Sequence, residues 1–129
     1  MKRLGVTLAS LPFVAAAFAA EDFSSKPLRL IVPTATGGST DIVARIIGAQ
    51  LGERLKMQVV VDNRGGAGGA IGMETTAKAS ADGHTLLLAN ASLAIQPALR
   101  ALPYDPVKSF APIAKLASVY LALVVHPAL

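Results

Sequence analysis

The chain has 129 residues, no cysteine, 53% hydrophobic against 16% charged residues, and a formal net charge of +4. Without cysteine no disulfide can supply stability, so the fold must rest on a packed core. Its basic residues are scattered and its two tyrosines do not interleave with them, so nucleic-acid binding has no electrostatic footprint.

Much of the apolar excess sits at the N-terminus. Lys2 and Arg3 precede the apolar, small-residue stretch LGVTLASLPFVAAAFA, and Ala17-Phe18-Ala19 offers the small residues a signal peptidase reads. Pro12 interrupts that stretch, which is shorter than the roughly 20 residues a membrane span needs. A removed export signal over residues 1–19, cleaved after Ala19, is expected, with residues 20–129 as one domain in the periplasm. That remainder carries ten basic and eight acidic groups, a balance that points to no partner class.

After a polar lead-in, LRLIV (Leu28 to Val32) reads as a strand closed by Pro33. Ser39 or Thr40 is placed to cap the next helix, in which Ile42, Val43, Ile46, Ile47, Leu51 and Leu55 recur at helical spacing as its apolar face. QVVVD (Gln58 to Asp62) and HTLLLAN (His84 to Asn90) read as two more strands, apolar on both sides as in a covered parallel sheet. A short helix from about Ile71 to Ala79 lies between them, and a helical turn around Ile95 to Leu99 leads to the rigid turn Pro103-Tyr104-Asp105-Pro106. PIAKLAS and YLALVVHP are expected as two final strands, after which the sequence stops with no closing helix, as a truncated domain would. The alternation of strand and helix gives the class as α/β with a mostly parallel sheet.

In such a sheet ligands gather beyond the carboxyl ends of the strands. Three loops lie there: Pro33, Thr34, Ala35, Thr36, Gly37, Gly38, Ser39, Thr40 and Asp41; then Asn63, Arg64, Gly65, Gly66, Ala67, Gly68, Gly69 and Ala70; then Asn90, Ala91 and Ser92. The first two join glycine, which permits close backbone approach, to helix N–H groups with partial positive charge, a combination that favours an anion. A dinucleotide is disfavoured, because after Gly66 and Gly68 the required third glycine position holds Ile71, and the following strand ends in Asn90 and not in an acid. No P-loop lysine lies between Pro33 and Asp41. Ser39 lacks a nucleophile-elbow setting, His84 begins a strand after an Asp-Gly turn as a solvent-facing edge residue does, and no metal-ligand spacing occurs. The plainer reading is that Gly65 to Gly72 only lets a helix pack on a strand and Asp41 only complements a helix dipole.

KPLRLIVPTATGGSTDIVARIIGAQLGERL, VVVDNRGGAGGAIG, ADGHTLLL and LPYDPVKSFAPIAKLASVYLALVVHPAL, in this order, resemble the N-terminal part of the periplasmic solute-binding receptors of tripartite tricarboxylate-type transporters, the Bug proteins. The resemblance runs from about Lys26 to Leu129. It implies a periplasmic-binding-protein-like lobe, truncated before a second lobe, of a monomeric receptor that is no enzyme and needs no cofactor or metal. Such a receptor holds a small organic carboxylate by backbone N–H groups and hydroxyls of the loops mapped onto Thr34 to Asp41 and Gly65 to Ala70, with Asn90 and Ser92 as a further wall, and hands it to a membrane permease. Thr36 and Gly65 stand where the family usually has proline. A single lobe leaves the anion open to water, so weak binding by this chain alone is expected. The alternatives are a nucleotide-dependent α/β enzyme domain and a gene fragment without function.

Overall fold

The structure is a computed structural model and describes residues 23–118 and 124–126. The expected export signal and residues 120–123 and 127 of the expected last strand lie outside these. Three strands, β1 (Leu28–Val32), β2 (Val59–Asn63) and β3 (Thr85–Leu87), form a parallel sheet in the order β2-β1-β3. Helices α1 (Ser39–Leu55), α2 (Ala70–Ala77) and α3 (Ser92–Leu99) complete the alternation, with a 3-10 turn at Ala67–Gly69 leading into α2.

β1 lies at the centre because it alone is apolar enough on both faces to be covered twice. Leu30 and Val32 share one core cluster with Ala44 of α1 and with Leu88, Ile31 points to the opposite face of the sheet, and Ile31, Val32 and Met73 are wholly buried. Each such side chain contributes on the order of 2 kcal/mol by leaving water. β2 and β3 are edges, which corrects the expectation that both are fully buried. Their residues are at most half-buried and Val60 is exposed, because among the described residues each has a neighbouring strand on one side only. At the open face of β2, Asp62 accepts hydrogen bonds from Arg29 Nε (2.9 Å) and Arg64 Nε (3.0 Å). Burial alone would raise its carboxyl pKa, but the two guanidiniums outweigh it and hold the group below its ordinary value.

α1 is also a correction. The residues it buries are Asp41, Ala44 and Gly48, spaced i, i+3 and i+7, while Ile42, Ile46 and Leu55 of the expected apolar face are exposed. The physical reason is proximity. A side chain at Gly48 would meet Val61 at 3.3 Å and Val59 at 3.4 Å, so at that point the helix lies too close to the sheet for a large side chain. Nor do Ser39 and Thr40 cap it. Gly38 is the cap residue, extended and without a side-chain hydrogen bond, and the two hydroxyl residues lie inside the first turn.

Beyond α3 the chain is tied by Asp105, whose carboxylate accepts the N–H groups of Val107 (2.8 Å) and Lys108 (3.0 Å), and by Tyr104, whose hydroxyl donates to Met73 Sδ at 3.2 Å. PIAKLAS is not a strand: residues 112–118 are exposed and pair with no neighbour among the described residues, and residues 124–126 are likewise without strand structure. Among the described residues no helix is long and apolar enough to cross a membrane.

Candidate functional site

β1 ends at Pro33, which is buried, and the turn Thr34–Gly38 carries the chain into α1. Gly37 there has φ +87°, a left-handed conformation that glycine adopts without strain. Asp41, only 2% exposed, reaches back from the first turn of α1: its Oδ2 accepts the Gly37 N–H at 2.8 Å and Arg45 Nε at 3.1 Å. The backbone N–H of Gly37 and then the Arg45 guanidinium hold its carboxyl below the ordinary value of 3.8. Arg45 also donates to Asn63 Oδ1 (3.4 Å), and Asn63 Nδ2 donates to the Thr34 carbonyl (3.3 Å), so the end of β2 is stitched to this first turn. Thr34 Oγ1 and Asp41 Oδ1 are buried and have no hydrogen-bond partner. With no side-chain cap, the N–H groups of Ser39 and Thr40 at the start of α1 are left for an outside acceptor.

The second turn lies directly against the first. A side chain at Gly65 would come within 3.2 Å of Ala35 N and the Thr34 carbonyl carbon, so backbone meets backbone there. From Gly66 to Gly69 four consecutive residues are left-handed, with φ +110°, +48°, +65° and +95°, and Ala67 is the one non-glycine among them. Gly69 N–H donates to Gly66 O at 2.9 Å and Ala70 N–H to Ala67 O, closing the 3-10 turn. Those two donors are thereby occupied, whereas the N–H groups of Gly65, Gly66, Ala67 and Gly68 find no acceptor among the described residues. Gly69 and Gly72 serve packing. A side chain at Gly72 would lie 2.7 Å from Arg64 O and 2.9 Å from Pro33 Cα, and one at Gly69 3.1 Å from Pro33 O. The glycine run therefore divides between close helix packing and a bare turn.

The third loop stands apart from this pair in its bonding. Asn90 Oδ1 accepts the N–H of Ser92 (3.0 Å) at the start of α3, and Asn90 lines an open cavity of about 470 Å³ with Leu93, Ala94, Pro97, Pro106 and Val107. Neither Asn90 nor Ser92 bonds to the other two turns. His84, expected to face solvent, is half-buried with its ring stacked on Phe23 at 4.4 Å between centroids. No group of His, Asp or Glu that could hold a metal ion occurs among the described residues.

Three residues that sequence reasoning missed, Arg45, Gln96 and Arg100, complete the arrangement. Arg45 follows Asp41 by four positions, the spacing of a helical ion pair, and could have been found. Gln96 and Arg100 had no such signal. Gln96 Nε2 donates to Gly68 O (3.0 Å), Arg100 Nη2 donates to Ala67 O, and Arg100 Nε donates to Gln96 Oε1 (2.6 Å), so α3 holds the second turn from across the chain.

Residues 43–129 match the tripartite tricarboxylate transporter family receptor. Protein BugT of Bordetella pertussis (strain Tohama I) is 40% identical over 119 residues, which is 90% of this chain and 36% of that protein. Among solved structures, the periplasmic binding protein BugD superposes with a TM-score of 0.64 at 44% identity over 67% of this chain and 29% of its own. MatC from Rhodopseudomonas palustris, with bound malate, does so with a TM-score of 0.64 at 36% identity over 73% of this chain and 33% of its own. The chain spans about a third of the length of the curated relatives it matches.

Proposed function

The chain belongs to the tripartite tricarboxylate transporter receptor family, with the fold of a periplasmic-binding-protein lobe, and on that premise we propose that it binds a small organic carboxylate between its two glycine turns. Gly65 seated on Thr34 and Ala35 is the observation that carries this reading, because it brings the two turns, each with unbonded N–H groups, into contact backbone to backbone. Amide donors grouped at a helix N-terminus favour an anion without any cationic side chain. Asp41 is assigned to the turn itself: its carboxylate already takes the Gly37 N–H, so the ligand's contacts fall to Thr36, Gly38, Ser39 and Thr40 on one side and Gly65 to Gly68 on the other. Asn90 and Ser92 form an outer wall. The receptor works in the periplasm after loss of residues 1–19 and delivers its ligand to a membrane permease.

The malate held by MatC makes malate the first probe. With only one lobe's contacts the affinity is expected in the millimolar range, about −4 kcal/mol. Titration of the 15N-labelled chain with malate should shift the amide resonances of Ser39, Thr40 and Gly65 to Gly68 together and saturably, while β3 resonances stay in place. Shifts confined to other parts of the molecule would refute the site.

A further inference from the structure

We propose that Gln96 of α3 and Arg100, just beyond the end of that helix, are positioning residues for the second glycine turn, and this rests on the carboxylate site proposed above. Gln96 is 6% exposed, a buried amide that is tolerable only if its polar atoms are bonded, and both ends are: Nε2 to Gly68 O and Oε1 to Arg100 Nε. Arg100, on the surface, takes Ala67 O as well. In a trans peptide the carbonyl and the next N–H point in opposite directions. Holding Ala67 O toward α3 therefore turns the Gly68 N–H away from α3, and holding Gly68 O in the same direction turns the Gly69 N–H onto Gly66 O, closing the turn. The fit is tight. A side chain at Gly68 would lie 2.1 Å from Gln96 Nε2, so the peptide sits directly on the amide.

The turn needs such a hold. Ala67 in the left-handed region is unfavourable for a residue with a Cβ, and glycines 66, 68 and 69 have many other conformations open to them. Two carbonyl contacts, one from Gln96 on α3 and one from Arg100 just beyond it, select the single conformation in which the Gly68 N–H is presented, at no expense of a donor the ligand would use.

Amide relaxation of the full 129-residue chain, first alone and then with malate, tests this for Gln96→Leu and Arg100→Met. Without ligand, the order parameters of Gly66 to Gly69 should fall below about 0.6 in both variants while those of Ser39, Thr40 and β1 stay near 0.85. Malate affinity read from the Gly68 amide should drop about fivefold in Arg100→Met, the worth of one hydrogen bond. Wild-type order at Gly66 to Gly69 in Arg100→Met overturns the proposal, and since Arg100 is on the surface that variant decides even if Gln96→Leu does not fold. If malate moves no loop amide in the wild type, the carboxylate site fails, and the ligand-free relaxation comparison still decides the role of α3.

Discussion

The turn from β1 into α1 is tied by its own neighbours, whereas the turn from β2 into α2 is held from a distance. Asp41 bonds Gly37 four residues back and Arg45 four residues on, so the first turn and the first coil of α1 organise each other. The second turn has no side chain of its own able to do this; its carbonyls go to Gln96 and Arg100, 28 and 33 residues away, and its glycines lie against Pro33. The two turns meet at Gly65, yet one is fixed by short-range electrostatics and the other by packing and long-range hydrogen bonds. A local lock survives loosening of the rest of the domain, and a remote one fails with it.

The largest effect should come from the packing under the second turn. Gly72→Val would press a side chain onto the Arg64 carbonyl and Pro33 Cα, both backbone, and should destabilise the chain by about 3 kcal/mol in urea unfolding. A loss under about 1 kcal/mol would show that α2 can lift from Pro33 without consequence, and the contrast between the turns would lose its basis.

A smaller, pH-dependent effect separates the first turn. Because the folded-state pKa of Asp41 lies below 3.8, its contribution to stability is fully present above that value and is lost as pH falls through the lower folded value. Asp41→Asn should therefore be less stable than the parent by a constant amount between about pH 5 and 7, with the gap closing below about pH 4. The Gly37 amide should shift while those of Gly66 to Gly69 do not. A gap that persists unchanged in acid would mean that the charge on Asp41 is not what fixes the turn.

The smallest change sharpens the account of the second turn. Ala67→Gly removes the left-handed penalty but frees the unfolded chain, so a net gain of roughly 0.5 kcal/mol is expected, with Gly68 still ordered through its bond to Gln96. Added disorder at Gly68 would show that the alanine Cβ, and not α3, restrains the turn.

The boundaries of β1, the existence of α1 and the parallel α/β class were legible because each is a short-range matter: a β-branched run stopped by proline, a helical period, an alternation of the two. The glycine run was legible as a close approach, and that is what it makes, though Gly69 and Gly72 approach Pro33 and only Gly65 to Gly68 leave bare donors. The buried face of α1 was misread, since hydrophobic period ranks side chains by polarity and says nothing about how near the sheet will lie; nearness favoured Ala44 and Gly48 over the isoleucines. PIAKLAS was misread as a strand because an apolar run becomes one only where the tertiary structure pairs it with a neighbour, and it pairs with none among the described residues.

What the sequence by itself determined, then, are features whose cause lies within a few residues: the elements, the two Gly-rich turns and the carboxylate of Asp41 four residues from its partners. Only the tertiary structure decided that the turns touch, that β2 and β3 are edges, and that Gln96 and Arg100 reach the second turn. Those facts depend on the path of the chain through the sheet, and no local preference of Gln96 or Arg100 records which carbonyls α3 will meet.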